Sequence, residues 1–319
     1  MNAITFREAT KVEITALVDN YSDLFLADSE KVKRLRVLPP RAPRAEPGLS
    51  FLIKVYAGSE EHSVLFDTGI SAACLLHNLE ILASSKAVMM GEIGVEPKNV
   101  EAVVLSHGHF DHFGGLLDFL KDFPKPMSVV LHPEAFVPRR FQVGPQLSID
   151  MPGLDEAALL ASGATLKKIQ ETSTLASDLI LISGEVERLT AFEKGMPGME
   201  ANIDERWEPD PFHDDQGLAI NLKNKGLVVI GGCSHAGIIN TVKHLQKASG
   251  VERIHAVLGG FHLSGKNEEI IGPTIEAMKT INPDYIVPMH CTGWKAIHQF
   301  AQDMPEQFIL NSVGSTYIF

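Results

Sequence analysis

The chain has 319 residues with 28 basic and 40 acidic side chains, and the resulting net charge of −12 excludes a basic nucleic-acid-binding protein. Hydrophobic residues make up 45% and charged residues 21%, so there is material for a full core and no bias toward disorder or collagen-like structure.

Lys11 to Val18 alternates apolar residues on one face, and Phe51 to Tyr56 is β-branched and aromatic; both read as strands. Between them, at about 29–49, Pro39, Pro40, Pro43 and Pro47 interleave with Lys31, Lys33, Arg34, Arg36, Arg41 and Arg44, which predicts a long surface loop. Val64 to Phe66, Ala102 to Leu105 and Ser128 to Leu131 are apolar runs of the kind covered on both faces of a sheet, with helices expected at about Ala72 to Leu82 and Gly114 to Phe123. The stretch at about 136–177, broken by Gly144-Pro145 and Pro152-Gly153, is expected to be an irregular insertion. The grammar then repeats. Strands are expected at Leu218 to Leu222, Leu227 to Ile230, Ile254 to Leu258 and Tyr285 to Val287, and helices from His235 to about Ala248, Pro273 to Ile281 and Trp294 to Asp303. Two similar halves, each a sheet with helices on one face, predict an α/β protein with an αββα sandwich in a single domain over 1–319.

Three scattered cysteines, Cys74, Cys233 and Cys291, make a poor disulfide framework and point to a reducing compartment. No signal-like h-region and no apolar run of about 18 residues occurs, so the expectation is a cytoplasmic protein, with no membrane and no nucleic acid as partner.

His107, His109, His112, His235, His262 and His290 each follow an expected strand end, the edge where α/β folds gather their sites, and this placement predicts one cluster. In Ser106-His-Gly-His-Phe-Asp-His-Phe-Gly-Gly115, His107 and His109 are two apart, which puts them on one face of an extended segment, where they can share a metal ion. Asp111 and His112 leave the turning chain in different directions and can supply a second ion. Neutral imidazole and carboxylate suit zinc, iron or manganese with positions open for water.

His-Gly-His-Phe-Asp-His at 107–112 resembles the HxHxDH signature of the metallo-β-lactamase superfamily, and Leu65-Phe-Asp-Thr-Gly69 resembles its upstream aspartate motif. Asp19-Asn-Tyr-Ser-Asp23, Ser183-Gly-Glu-Val-Glu-Arg188, Gly232-Cys-Ser-His-Ala-Gly-Ile-Ile-Asn240, Leu258-Gly-Gly-Phe-His-Leu263 and Pro288-Met-His-Cys-Thr-Gly293 extend the likeness over nearly the whole chain. Together they are similar to the branch named for 7,8-dihydropterin-6-methyl-4-(β-D-ribofuranosyl)aminobenzene-5′-phosphate synthase. The resemblance implies two divalent metal ions, zinc first with iron or manganese as alternatives: one held by His107, His109 and His235, the other by Asp111, His112 and His290. It implies that Asp67 orients the ligand loop by hydrogen bonds.

Two departures stand out. Many superfamily members place a metal-bridging aspartate after the strand that here ends in Ile230, where this chain offers Cys233, either a ligand or a small packed residue. His213, in Pro211-Phe-His-Asp-Asp-Gln216, is a rival to His235. His262 is a candidate proton donor or a loop histidine, and Thr292 and Gly293, before a helix start, are candidates for anion binding or simple capping. The arginine- and proline-rich loop is either a source of cations for a phosphate or a solvated cover. The expected activity is hydrolysis by a metal-activated water, with Asp111 orienting it or taking its proton, on a phosphoester or related anionic small molecule. A lactone or other carbonyl-ester hydrolase, an iron redox enzyme, or a non-catalytic metal-binding protein of the same fold are the alternatives.

Overall fold

The computed structural model describes residues 4, 6–36, 41–84, 99–122, 126–144 and 146–319. Pro39 and Pro40 of the expected loop, the helix end at Phe123 and the breaker Pro145 lie outside them. Alternation and helical period generate the first elements in chain order: β1 (Glu8–Ala9), β2 (Lys11–Val18), β3 (Val32–Lys33), β4 (Ser50–Ala57), β5 (Glu60–Phe66), α1 (Ala72–Ser84), β6 (Ala102–Val104), α2 (Phe110–Phe113), α3 (Leu116–Asp122) and β7 (Ser128–Leu131). There follow β8 (Arg139–Gly144), β9 (Leu147–Asp150), α4 (Glu156–Ala161), β10 (Thr165–Lys168), β11 (Ser173–Leu175), β12 (Ile180–Ile182), β13 (Met199–Ile203) and β14 (Arg206–Pro209). The last are β15 (Leu218–Leu222), β16 (Gly226–Ile230), α5 (Ile238–Ser249), β17 (Ile254–Gly260), α6 (Ile271–Ile281), β18 (Tyr285–Met289), α7 (Trp294–Asp303) and β19 (Thr316–Ile318).

One sheet runs β10-β7-β6-β5-β4-β2-β19-β3, and the second runs β11-β12-β15-β16-β17-β18 with β1 beside β15. Their facing sides share one core, in which Ile14, Ile53, Val64, Phe66 and Val104 meet Ile182, Ile220, Val228, Ile230 and Leu258. Alternate residues on the outer side of the first sheet, Leu52, Leu65, Val103 and Val129, are covered by Leu75 and Leu79 of α1 and Phe119 of α3. The outer side of the second is covered by Ile239 and Val242 of α5, Ile275 and Met278 of α6 and Phe300 of α7. That is the expected αββα sandwich, with period-2 strands sorted between an inner and an outer core. Among the described residues no helix is long and apolar enough to cross a membrane.

The stretch at 136–177 corrects the sequence reading. It is not irregular: β8 and β9 join β13 and β14 in a separate four-stranded sheet, and β10 extends the first sheet parallel to β7. β10 (Thr165–Lys168) is largely exposed and shows no alternation, while β9 alternates Leu147 and Ile149 with polar residues in a four-residue run too short, beside the Gly144-Pro145 breaker, to read as a strand. The loop at about 29–49 also contains a short strand, β3, which pairs with β19.

Strands β5, β6 and β7 run parallel, as do β16, β17 and β18. Parallel strands end together, so the residues after Phe66, Val104, Ile230, Gly260 and Met289 emerge at sheet edges suited to carrying a site.

Candidate metal centre

Past β6 the chain bends at Ser106 and at Gly108 and is extended at His109 (φ −91°, ψ 142°) before α2 begins. The rings of His107 and His109 lie together, 4.5 Å apart between centroids. Gly108 lets this loop pack against the Ala135 carbonyl oxygen, from which a Cβ would stand only 2.1 Å away. His235, from the turn after β16, brings its Nε2 to 3.1 Å from His109 Nδ1, and its ring is 4.8 Å from that of His107. His107 Nδ1 meets Ser106 Oγ at 2.9 Å, which leaves Nε2 buried without a partner. An orphaned buried nitrogen costs free energy unless an unseen partner takes it.

A second group forms beside the first. His290 Nε2 lies 3.3 Å and His112 Nε2 3.7 Å from Asp111 Oδ2, and Cys233 Sγ lies 3.1 Å from His112 Nε2 and 3.3 Å from His290 Nε2. Ligands around a tetrahedral ion with bonds of about 2.0–2.3 Å stand about 3.3–3.8 Å apart, so this donor set fits one divalent cation with little movement. Asp111 is the open side: 24% of its side chain is exposed, against 0% for His112 and 4% for His290.

Electrostatics prepares most of the donors but favours the charged form of His112 and His290. Burial first, then neighbouring imidazoles or Arg139, holds His107, His109 and His235 well below the usual histidine range, in the neutral state that a metal requires. Burial pushes the Asp111 carboxyl up, but His112 and His290 outweigh it and hold it far below the usual carboxylate range. Against its own burial, His290 is pushed up to about 9 by the Cys291 sulfur and Asp111.

Hydrogen bonds fix the ring orientations. Asp67, fully buried with φ 58°, accepts from Ser106 N (2.7 Å), Ser106 Oγ (2.6 Å) and His112 Nδ1 (2.6 Å), which aims His112 Nε2 at the second group. Asp19 accepts from the His290 amide at 2.9 Å and from Asn311 at 2.7 Å. Ser234, His262 and His290 also take positive φ, of 55°, 44° and 54°. Left-handed backbone at non-glycine residues costs energy, and its concentration here marks a functional edge.

A segment that no sequence motif points to braces the first group. Asp214, beside His213, accepts from Gly108 N (2.8 Å) and from Arg139 (2.7 Å); Asp215 accepts from Ala236 N (2.7 Å); Phe212 stacks on the His235 ring at 4.4 Å. Its only signal was the unusual Asp214-Asp215 pair in a segment singled out for its histidine. His213 itself stands apart, 43% exposed and paired with Glu134, and the structure does not bring it to the cluster.

Other candidates divide. His262 does join the rim, its ring 4.4 Å from that of His235 and its Nδ1 buried without a partner. The Thr292 hydroxyl is fully buried, donates to the Met289 carbonyl and accepts from Phe261 N, and so holds the turn that leads into α7. Gly293 lines a cavity of about 230 Å³ with Tyr21, Met289, His290, Trp294 and Leu310. The described cations of the arginine-rich loop are turned to their own chain: Arg34 to Leu310 O and Ser315, Arg36 to Leu24 O and Leu26 O, Arg41 to Glu80, Arg44 to Ala73 O. A second, small cleft is lined by Lys194, His235, His262 and Asn267.

An αββα sandwich carrying a histidine–carboxylate cluster at the ends of its parallel strands defines the class of protein. The sequence profile of the metallo-beta-lactamase superfamily matches residues 43–230, and the chain belongs to that superfamily. A 7,8-dihydropterin-6-methyl-4-(beta-D-ribofuranosyl)-aminobenzene-5'-phosphate synthase of Methanocaldococcus jannaschii is 33% identical over 273 residues, covering 83% of this chain and 87% of its own. An uncharacterised protein of the same organism is 32% identical, covering 85% of this chain and 92% of its own. Among solved structures, a metal-dependent hydrolase of the beta-lactamase superfamily is similar with a TM-score of 0.71 and 25% identity, covering 96% of this chain and 98% of its own.

Proposed function

We propose that the chain is a dinuclear metallohydrolase of small phosphoesters. In this reading His107, His109 and His235 hold one divalent ion and Asp111, His112 and His290 the other, with zinc the first choice for imidazole donors. The observation that carries it is the spacing of Asp111 Oδ2, His112 Nε2 and His290 Nε2, set beside the buried, partnerless Nε2 of His107. Such ions supply a water acidic enough to attack near neutral pH and neutralise charge developing on the electrophile.

The chain's own residues do the rest. Asp111, partly open, orients the attacking water by accepting a hydrogen bond from it. His262, on the rim beside His235, donates a proton to the departing oxygen. Lys194 is exposed at the small cleft that His235 and His262 line, and among the described residues it has no partner, so it is free to meet an anionic group. The phosphate in the synthase relative's name supports the same electrophile. Three free thiols support a cytoplasmic setting.

The largely apolar cavity beside His290 favours a second reading, hydrolysis of a lactone or other carbonyl ester. Protein reconstituted separately with zinc, iron(II) and manganese should cleave an aryl phosphoester, and Asp111→Asn should abolish that cleavage. Turnover of lactones alone would overturn the phosphoester reading, and no hydrolysis with any of the three ions would overturn both.

A further inference from the structure

Cys233 belongs to both donor groups. Its Sγ stands 3.1 Å from His112 Nε2 and 3.3 Å from His290 Nε2, and all donor atoms of His107, Cys233 and His235 also lie within 4.8 Å of one another. One sulfur therefore faces the nitrogens assigned to both ions. Ordinary packing does not explain the placement, because a packed cysteine behaves as a small hydrophobe among apolar neighbours, whereas this sulfur stands among ligand nitrogens and the Cys291 sulfur.

The backbone is pressed into position to achieve it. A Cβ at Gly232 would stand 2.2 Å from Ser106 Oγ, and one at Gly260 would stand 2.6 Å from Cys291 Sγ and 3.3 Å from Cys233 Cα. Two glycines thus let the turn carrying Cys233 sink between the β6 and β17 ends. Asp111, by contrast, shares only the second group.

We propose, resting on the two-ion reading above, that the Cys233 thiolate bridges the two ions. The thiol gives its proton to solvent as the ions bind, and the sulfur then donates one lone pair to each. A soft bridging donor biases the pair toward zinc or iron and against manganese or magnesium.

The test titrates metal-free protein with cobalt(II), following bound ions per chain and the sulfur-to-cobalt charge-transfer absorption in the near ultraviolet. Wild-type protein should take up two ions, with absorption growing through both increments. Cys233→Ser should lose that absorption and bind the weaker ion roughly tenfold or more less tightly, since even outer partners of a ligand are worth 10–100-fold. Cys291→Ser should keep the absorption. Cys233→Asp, which restores a bridging oxygen, should recover two ions without the absorption and guards against a serine variant that merely misfolds. Two bound ions with no charge transfer, absorption confined to one increment, or unchanged affinities in Cys233→Ser would overturn the bridge and leave the two-ion reading intact. Failure of the wild type to bind cobalt would overturn the two-ion reading, and the bridge with it.

Discussion

Asp67→Asn isolates the orientation of a single imidazole. Asn tolerates the left-handed φ of 58° at this position, so the backbone should survive the change. Its side-chain oxygen can still accept from the Ser106 amide, at 2.7 Å in the native protein. Where Oδ2 now accepts from His112 Nδ1 at 2.6 Å, an amide NH2 would instead donate. His112 must then accept at Nδ1 and carry its proton on Nε2, the nitrogen that faces Cys233 and Asp111. Binding an ion there requires reversing that tautomer against the new hydrogen bond. Loss of such a partner lowers metal affinity 10–100-fold, or about 1.4–2.7 kcal/mol. Chelator competition on reconstituted protein reads the affinity, and denaturant unfolding of the metal-free chain checks that the fold persists. A second-site affinity equal to the wild type's, in a folded variant, would refute the role given to Asp67.

Further substitutions probe other parts of the account. His109→Ala should lose the first ion and turnover while remaining folded, since the ring sits at the rim; circular dichroism and metal content check it, and wild-type turnover would contradict it. Arg139→Met should destabilise the protein by about 3–5 kcal/mol in urea unfolding, because Asp210 and Asp214 keep buried charge without their partner; unchanged stability would count against the brace. Burial pushes Asp215 up to about 7, so the folded chain holds a proton that the unfolded chain releases near 4. Stability from this group is present below about pH 4 and lost as pH rises toward 7, and Asp215→Asn should flatten that decline in metal-free protein; identical pH profiles would exclude it.

Much of the fold is legible in the sequence because each half buries one sheet between two cores, and that burial writes alternation and helical period into β2, β4, α1, α5 and α7. The signal fails where burial does. β8, β9 and β10 lie in a peripheral sheet or at a sheet edge; β10 has no apolar period, and the alternation of Phe141 with Val143 and of Leu147 with Ile149 is too short and too interrupted by Gly144-Pro145 to stand out. At the candidate site, the histidines stand out because each follows an apolar strand. The residues that hold them do not. Asp214 reaches Gly108 across 106 positions, and Asp19 reaches His290 across 271, through backbone amides that any residue type supplies. A carboxylate chosen for a backbone partner leaves no spacing to find.

The most direct measurement is an anomalous-scattering map from zinc-loaded crystals. Two peaks about 3.5–4 Å apart are expected, one among His107, His109 and His235 and the other among Asp111, His112 and His290. An empty cluster, or zinc bound instead at the exposed His213 and Glu134, would contradict the account.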